Sequence, residues 1–118
     1  MRDSTRQRRR ELFEEAADLV QREYQDELGL DDIAHRLASS RRQLQRAFAE
    51  AGETTFRSYL QKVRMARAAE LLREQGLPVN RVASAVGYRQ PAQFAKAFRR
   101  HHGRPPSAYR QASGSLAA

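Results

Sequence analysis

Apolar residues recur at spacings of three and four along almost the whole chain, the period of helices with one buried face. Phe13, Ala16, Ala17, Val20 and Tyr24 form the first stripe, and Gly29 is the expected stop of that helix. Leu30, Ile33, Ala34 and Leu37 predict a short second helix, with Asp31 and Asp32 in its first turn, where the helix dipole favours anions. Ser39 and Ser40 mark a break and supply an N-cap for a third helix, striped by Leu44, Phe48 and Ala51 and closed by Gly52. Thr54 or Thr55 caps a fourth helix over about Phe56 to Gln75. One side of it carries Phe56, Tyr59, Leu60, Val63, Ala66 or Arg67, and Leu71, and Gly76 and Pro78 stop it. Val79, Val82, Ala83 and Val86 make a short fifth helix, ended by Gly87. Pro91 suits the first position of a sixth, with Phe94, Phe98 and His101 as its inner stripe. Gly103, Pro105 and Pro106 then lead into a last helical turn around Tyr109. No stretch alternates as a half-buried strand does, so the expected fold is all-α. Residues 112–118 are small and polar, and a disordered tail is expected there.

The pattern repeats internally. Leu30-Asp31-Asp32-Ile33-Ala34-His35-Arg36-Leu37-Ala38 matches Val79-Asn80-Arg81-Val82-Ala83-Ser84-Ala85-Val86-Gly87 at an offset of 49. Leu44-Gln45-Arg46-Ala47-Phe48 matches Phe94-Ala95-Lys96-Ala97-Phe98 at an offset of 50. Each copy is a short helix, a tight break and a second helix with basic residues, which is helix-turn-helix grammar. Ala34 and Ala83 suit the point where two helices touch and admit only a small side chain.

Charge gives this pattern a partner. The 118 residues hold 22 Lys and Arg against 14 Asp and Glu, a formal net charge of +8. Such an excess points to a polyanion, nucleic acid before an anionic membrane surface. Only Lys62 and Lys96 are lysines; the rest are Arg, which suits bidentate contact with phosphate and guanine and also matches the codon bias of a GC-rich genome. Acids crowd the stretch from Glu11 to Asp32, and none follows Glu74. A polyanion is therefore expected against the later part of the chain and the Arg-rich amino end rather than against the first helix. The chain has no Cys, which excludes disulfides, thiolate metal sites and cysteine nucleophiles. His35, His101 and His102 lack metal-ligand spacing, and no phosphate-binding Gly loop or nucleophile–base pair is present. No catalysis, cofactor or metal is expected. No run is long and apolar enough to span a membrane, and no apolar stretch follows the charged first residues, so the expected compartment is the cytoplasm.

One family joins these features. The run Ser40-x3-Leu44-x-Arg46-x-Phe48, then Gly52, Tyr59, Arg64, Ala68 and Leu71-Leu72, then Val82-Ala83-x3-Gly87-Tyr88-x5-Phe94-x3-Phe98 and Gly103-x-Pro105-x3-Tyr109-Arg110, resembles the DNA-binding domain of the AraC/XylS transcriptional regulators. The resemblance covers roughly residues 8–111 and is most specific from Val82 to Arg110. It implies seven helices, with two helix-turn-helix lobes joined by a long central helix. Lobe one would span about 8–53, the central helix about 55–75 and lobe two about 78–111, all within a domain over 1–111. Two departures stand out. Ala38-Ser39 occupies a turn where the family commonly has Gly and an apolar residue, so Ala38 is strained if that position needs positive φ. Arg89-Gln90 stands where a Ser or Asp cap is usual, and Gln is a poor cap.

With Leu44 as the inward reference, at about 100° per residue, Arg42, Arg46 and Ala49 face outward and Gln45 flanks them. With Phe94 as reference, Ala92, Lys96 and Arg99 face outward and Gln93 and Arg100 flank. Residues near the amino end of a recognition helix meet base edges. The expected DNA-binding residues are therefore Arg41, Arg42, Gln45 and Arg46 in the first lobe and Arg89, Gln90, Ala92, Gln93, Lys96 and Arg100 in the second. Arg suits guanine, Gln suits adenine and Ala suits a thymine methyl; a solvated or phosphate-only role is the competing reading. Arg64 is expected at phosphate or at a carboxylate of its own domain, and His101 and His102 at a core edge and on the surface. A central helix of about twenty residues is roughly 30 Å long, close to the spacing of successive major grooves.

The expected function is a sequence-specific DNA-binding transcription regulator reading two successive major grooves of double-stranded DNA. The alternative is a non-specific architectural or RNA-polymerase-tethering module, with RNA polymerase a candidate partner in either case. The chain is expected to bind as a monomer unless a sensor domain dimerises it. It either lacks such a sensor, like small stand-alone members of the family, or is an excised piece of a longer regulator.

Overall fold

The computed structural model describes residues 2–110, and among them all regular structure is helical. Six helices follow in order: α1 (Arg2–Glu23), α2 (Leu30–Arg36), α3 (Arg41–Gly52), α4 (Phe56–Glu74), α5 (Val79–Ala85) and α6 (Pro91–His102). A seventh helical segment, α7, occupies 106–110, where the described chain ends. The tail expected at 112–118 lies outside the described residues. The chain forms two compact units, residues 1–60 and 61–118, so that the boundary falls within α4.

In the first unit α1 packs on α3. Ala16, Leu19 and Val20 of α1, Ile33 and Ala34 of α2, and Leu44, Ala47 and Phe48 of α3 are all buried. Phe48 is the hub: its ring centroid lies 5.2 Å from Phe13 and 5.9 Å from each of Phe56 and Tyr59. The Phe13 and Phe56 contacts are edge-on, a geometry worth about 0.5–1.5 kcal/mol per pair beyond the area buried. In the second unit Met65, Ala68 and Leu72 of α4, Val82 and Ala83 of α5, Val86, and Phe94 and Phe98 of α6 are buried. Ala34 and Ala83, the expected close-contact positions, are 2% and 1% exposed.

The two units use the same turn, bond for bond. After α2, Ser39 N donates to Ala34 O at 2.8 Å and Ala38 N to His35 O. After α5, Tyr88 N donates to Ala83 O at 2.9 Å and Gly87 N to Ser84 O. The bond that reaches back five residues is the Schellman type, which requires a left-handed residue at the corner. Gly87 takes that conformation with φ 93°, and its repeat-mate Ala38 with φ 53°. The condition for strain at Ala38 is thus met: the position takes a positive φ, and the turn keeps the form of its counterpart at Gly87. The helices that follow start differently. Ser40 caps α3 in a capping box, its Oγ accepting from Gln43 N while Gln43 Oε1 accepts from Ser40 N. Gln90 precedes α6 with no side-chain cap, and Pro91 fixes the helix start instead.

Several expected details are corrected. α1 ends at Glu23, and Gly29 lies in extended conformation ahead of α2 rather than stopping α1. The third inward residue of α3 is Ala47; Ala51 is exposed. Gly52 is the last helical residue, and the left-handed stop is Glu53, with φ 53°. Gly52 is there for space: the Phe13 ring sits where a Cβ would project, with Cζ 2.7 Å from that point. Of the two candidates Thr55 is the cap of α4, its Oγ1 accepting from Ser58 N at 3.1 Å. Ala66 is exposed; Leu60, Val63 and Leu71 of the expected stripe are buried, and Met65, Ala68, Ala69 and Leu72 are buried with them. His102, not His101, turns inward: its ring lies 4.4 Å from that of Phe98, and its Nε2 is 3.0 Å from Met65 O.

Candidate nucleic-acid interface

Burial of one face of α3 defines the other. Leu44, Ala47 and Phe48 are inaccessible, while Arg42 and Arg46 are exposed on the opposite side of its first two turns and Arg41 and Gln45 are exposed on its flanks. The capping box fixes where that helix begins, so these four side chains project from a preorganised start. Arg41 is the first helical residue, where the dipole disfavours a cation, and its Nη1 lies 3.4 Å from Asp31 Oδ2 of α2. Arg46 lines an open cleft of about 550 Å³, shared with Ser39, Gln43 and, from α1, Thr5, Arg8 and Glu11. Arg9 pairs with Glu50, tying the amino-terminal part of α1 to α3.

The second unit presents the same design. Phe94 and Phe98 face the core, and Gln90, Ala92, Gln93, Lys96 and Arg100 are exposed on α6 or at its start, with Arg89 exposed in the preceding turn. The structure thus keeps each expected residue on the surface and gathers them into two groups, one per unit.

A helix-turn-helix domain family model matches residues 33–112 of the chain. A transcriptional regulator of Chromobacterium violaceum, described as containing an AraC-type DNA-binding domain, superposes with a TM-score of 0.81 at 28% identity, covering 86% of this chain and 91% of that one. The chain belongs to the AraC-type helix-turn-helix family. The DNA-binding domain of AdpA, a global transcriptional factor solved in complex with a target DNA, is similar with a TM-score of 0.83 and 27% identity over 88% of this chain and 94% of that one. The Msm operon regulatory protein of Streptococcus mutans is 30% identical over 93 residues, 79% of this chain. This AraC-type chain spans only 34% of that relative's length.

Some residues of this AraC-type domain do work that the sequence did not disclose. Arg64 is half-buried with its guanidinium 5.8 Å from the Tyr88 ring centroid. Burial lowers its pKa from the ordinary arginine value. Arg110 donates from Nε and Nη2 to Gly76 O at 3.0 and 2.7 Å and so ties α7 to the loop after α4. Arg73 lies over the Tyr109 ring at 5.4 Å. Gln43 was legible, since Ser-x-x-Gln ahead of an apolar run is the capping-box signature. The pairs Arg9–Glu50 and Arg110–Gly76 were not, because each joins residues more than thirty apart, separated by 41 and 34 positions. Among the described residues no group of His, Asp or Glu is arranged to hold a metal ion, and no helix is long and apolar enough to cross a membrane.

Proposed function

We propose that the chain binds double-stranded DNA sequence-specifically as the DNA-binding part of a transcription regulator, with α3 and α6 each entering a major groove. The observation that carries this reading is the duplicated, outward-facing polar surface on two repeat-related helices whose opposite faces are buried. The likeness to a domain solved on its target DNA supports it. Arg42, Gln45 and Arg46 are the base readers of the first unit, and Gln90, Ala92, Gln93 and Lys96 those of the second. Arg41, Arg89 and Arg100 stand at the margins of the two groups and contact phosphate. Because the two sets of readers differ in chemistry, one chain occupies an asymmetric site as a monomer. A family of transcription regulators, with no nucleophile–base pair in this sequence, is the setting for recognition rather than catalysis.

The test combines selection of bound duplexes from a random pool with titrations of variants. Neutralising about six to ten phosphates lowers affinity by roughly 10³–10⁵ between about 50 and 200 mM salt. Arg46→Ala should cost about 1–3 kcal/mol and relax the preference at one guanine-bearing position. Lys96→Ala should cost less discrimination, because an ammonium is a point charge rather than a planar fork. Equal loss on every sequence would make Arg46 a phosphate clamp. A palindromic consensus bound only by a dimer would refute the two-reader reading.

A further inference from the structure

The net charge is divided unequally between the two units. Residues 1–60 carry 11 Lys and Arg against 12 Asp and Glu, a net −1, whereas residues 61–118 carry 11 against 2, a net +9. In the first unit Arg9 pairs with Glu50, Arg22 with Asp18, Arg36 with Glu23, and Arg41 with Asp31. The second unit has only Glu70 and Glu74 as acids, and Glu70 is engaged by Arg67. The internal repeat sharpens the contrast. Asp31 and Asp32, in the first turn of α2, have Asn80 and Arg81 as their mates in α5.

Arg41 stands where this difference acts on recognition. It opens α3, the helix whose outward face carries Arg42, Gln45 and Arg46. A phosphate and the Asp31 carboxylate offer this guanidinium the same partner chemistry, so they compete for it. An approaching phosphate also meets the charges of Asp31 and Asp32, over a range set by a Debye length of about 10 Å at 0.1 M salt. We propose that Asp31 is an electrostatic brake on the first unit. By holding Arg41 it opposes phosphate contact at the start of α3, so the first unit docks only where its base contacts compensate, while the second unit supplies the sequence-independent hold. This rests on the reading of α3 as a DNA-facing helix.

Linkage fixes what removal of the brake does. On mixed-sequence DNA the hold comes from the second unit, and relief of a brake on the first changes little. On a selected site the first unit is already engaged, and the whole relief appears as affinity. An exposed ion pair shifts an equilibrium by roughly fivefold at most. Asp31→Asn should therefore tighten binding to a selected duplex by about two- to fivefold near 50 mM salt. The gain should be smaller on a mixed-sequence duplex and should fade toward about 200 mM.

The experiment titrates the wild-type chain, D31N, R41A and D31N/R41A against both duplexes at both salts, with thermal melts to confirm folding. In the R41A background the effect of D31N should shrink, because no pair remains to break. N80D places an acid at the repeat-mate in the second unit, and it should weaken binding to both duplexes by similar factors. An unchanged affinity for D31N, an equal gain with and without Arg41, or an inert N80D would overturn the brake. A wild-type chain that binds neither duplex in a salt-dependent way would remove the DNA reading and the brake with it.

Discussion

Gly52→Ala tests what holds the first recognition helix in place. Gly52 ends α3, and the Phe13 ring of α1 occupies the space beside it: an added Cβ would lie 2.7 Å from Cζ and 3.0 Å from Cδ1, and closer still to Cε1. Non-bonded carbons prefer about 3.5–4.0 Å, so the ring must retreat by roughly an ångström. It cannot do so cheaply, because Phe48 and Tyr59 hold it edge-on at 5.2 and 5.9 Å. Overpacking of this kind costs about 1–3 kcal/mol. Against it stands the helical preference of Ala over Gly, at most about 1 kcal/mol. The net expectation is a loss of about 1 kcal/mol or somewhat more, read as a lower urea midpoint at unchanged m-value. The decisive comparison is the same substitution in a Phe13→Ala background, where the obstruction is gone and propensity alone remains. There Gly52→Ala should stabilise. A double-mutant cycle on urea unfolding followed by far-UV circular dichroism measures the sign reversal. If Gly52→Ala has the same effect in both backgrounds, Phe13 does not dictate the glycine and the packing argument is wrong. Because α1 sets the seat of α3, the single variant should also weaken DNA binding.

Ala38→Gly should stabilise the protein by about 0.5–1 kcal/mol, since relief of left-handed strain of about 1–2 kcal/mol exceeds the added freedom of the unfolded chain; Gly87→Ala, its mirror in the second unit, should destabilise, and thermal melts of the two compare the turns directly. Glu23 is held below the ordinary carboxylate range, first by its hydrogen bond with Arg36 and then by the charges of Arg36 and Arg22, opposed by desolvation. A depressed folded value gives stability that is present above the unfolded pKa and is lost as pH falls through the folded one. Glu23→Gln should therefore lower stability slightly above the unfolded carboxylate pKa, leave it unchanged below the folded one, and so flatten the acid limb of the stability–pH curve; the effect is small because the pair is partly open to solvent.

The large apolar residues were legible because burial imposes a period. Leu44 with Phe48, and Phe94 with Phe98, could occupy no other face of their helices. Small and ambiguous residues were not. Ala47 and Ala51 both lie near the Leu44–Phe48 seam, and only the actual packing against α1 selects Ala47. His101 and His102 straddle the inward direction of α6, and the choice falls to partners distant in sequence: Met65 O and the Tyr109 ring, 5.6 Å from that of His102. Gly52 misled for a related reason. A glycine at a helix end usually signals a left-handed stop, but here a ring from α1 claimed the glycine and left Glu53 to take φ 53°. The outward residues were readable as the complement of the core, whereas their ion pairs were not, because Arg41–Asp31 and Arg9–Glu50 bridge different helices.

The two copies of the motif solve the same backbone problem with different residues, and the difference runs in one direction. Each copy needs a left-handed residue after its first helix and another after its second. The second unit supplies Gly87 and Gly103, with φ 93° and 79°, and the first supplies Ala38 and Glu53, both with φ 53°. A left-handed residue with a Cβ costs roughly 1–2 kcal/mol, so the first unit carries strain at both corners of its helix-turn-helix that the second avoids. It offsets this locally, through the Ser40–Gln43 capping box at the start of α3 and the aromatic hub of Phe13, Phe48, Phe56 and Tyr59. The second unit has the relaxed turns but leaves α6 without a side-chain cap, its start fixed only by the φ of Pro91. The capping box makes α3, despite the strain at its flanking corners, the more firmly set of the two helices at its amino end. In a major groove that is the end whose placement decides whether an arginine meets two guanine acceptors or misses them. Arg42, Gln45 and Arg46 therefore stand on the better-fixed support, and Gln93 and Lys96 on the more adjustable one. If α3 and α6 read the two half-sites as proposed, discrimination between bases should accordingly be sharper in the half-site facing α3 than in the one facing α6.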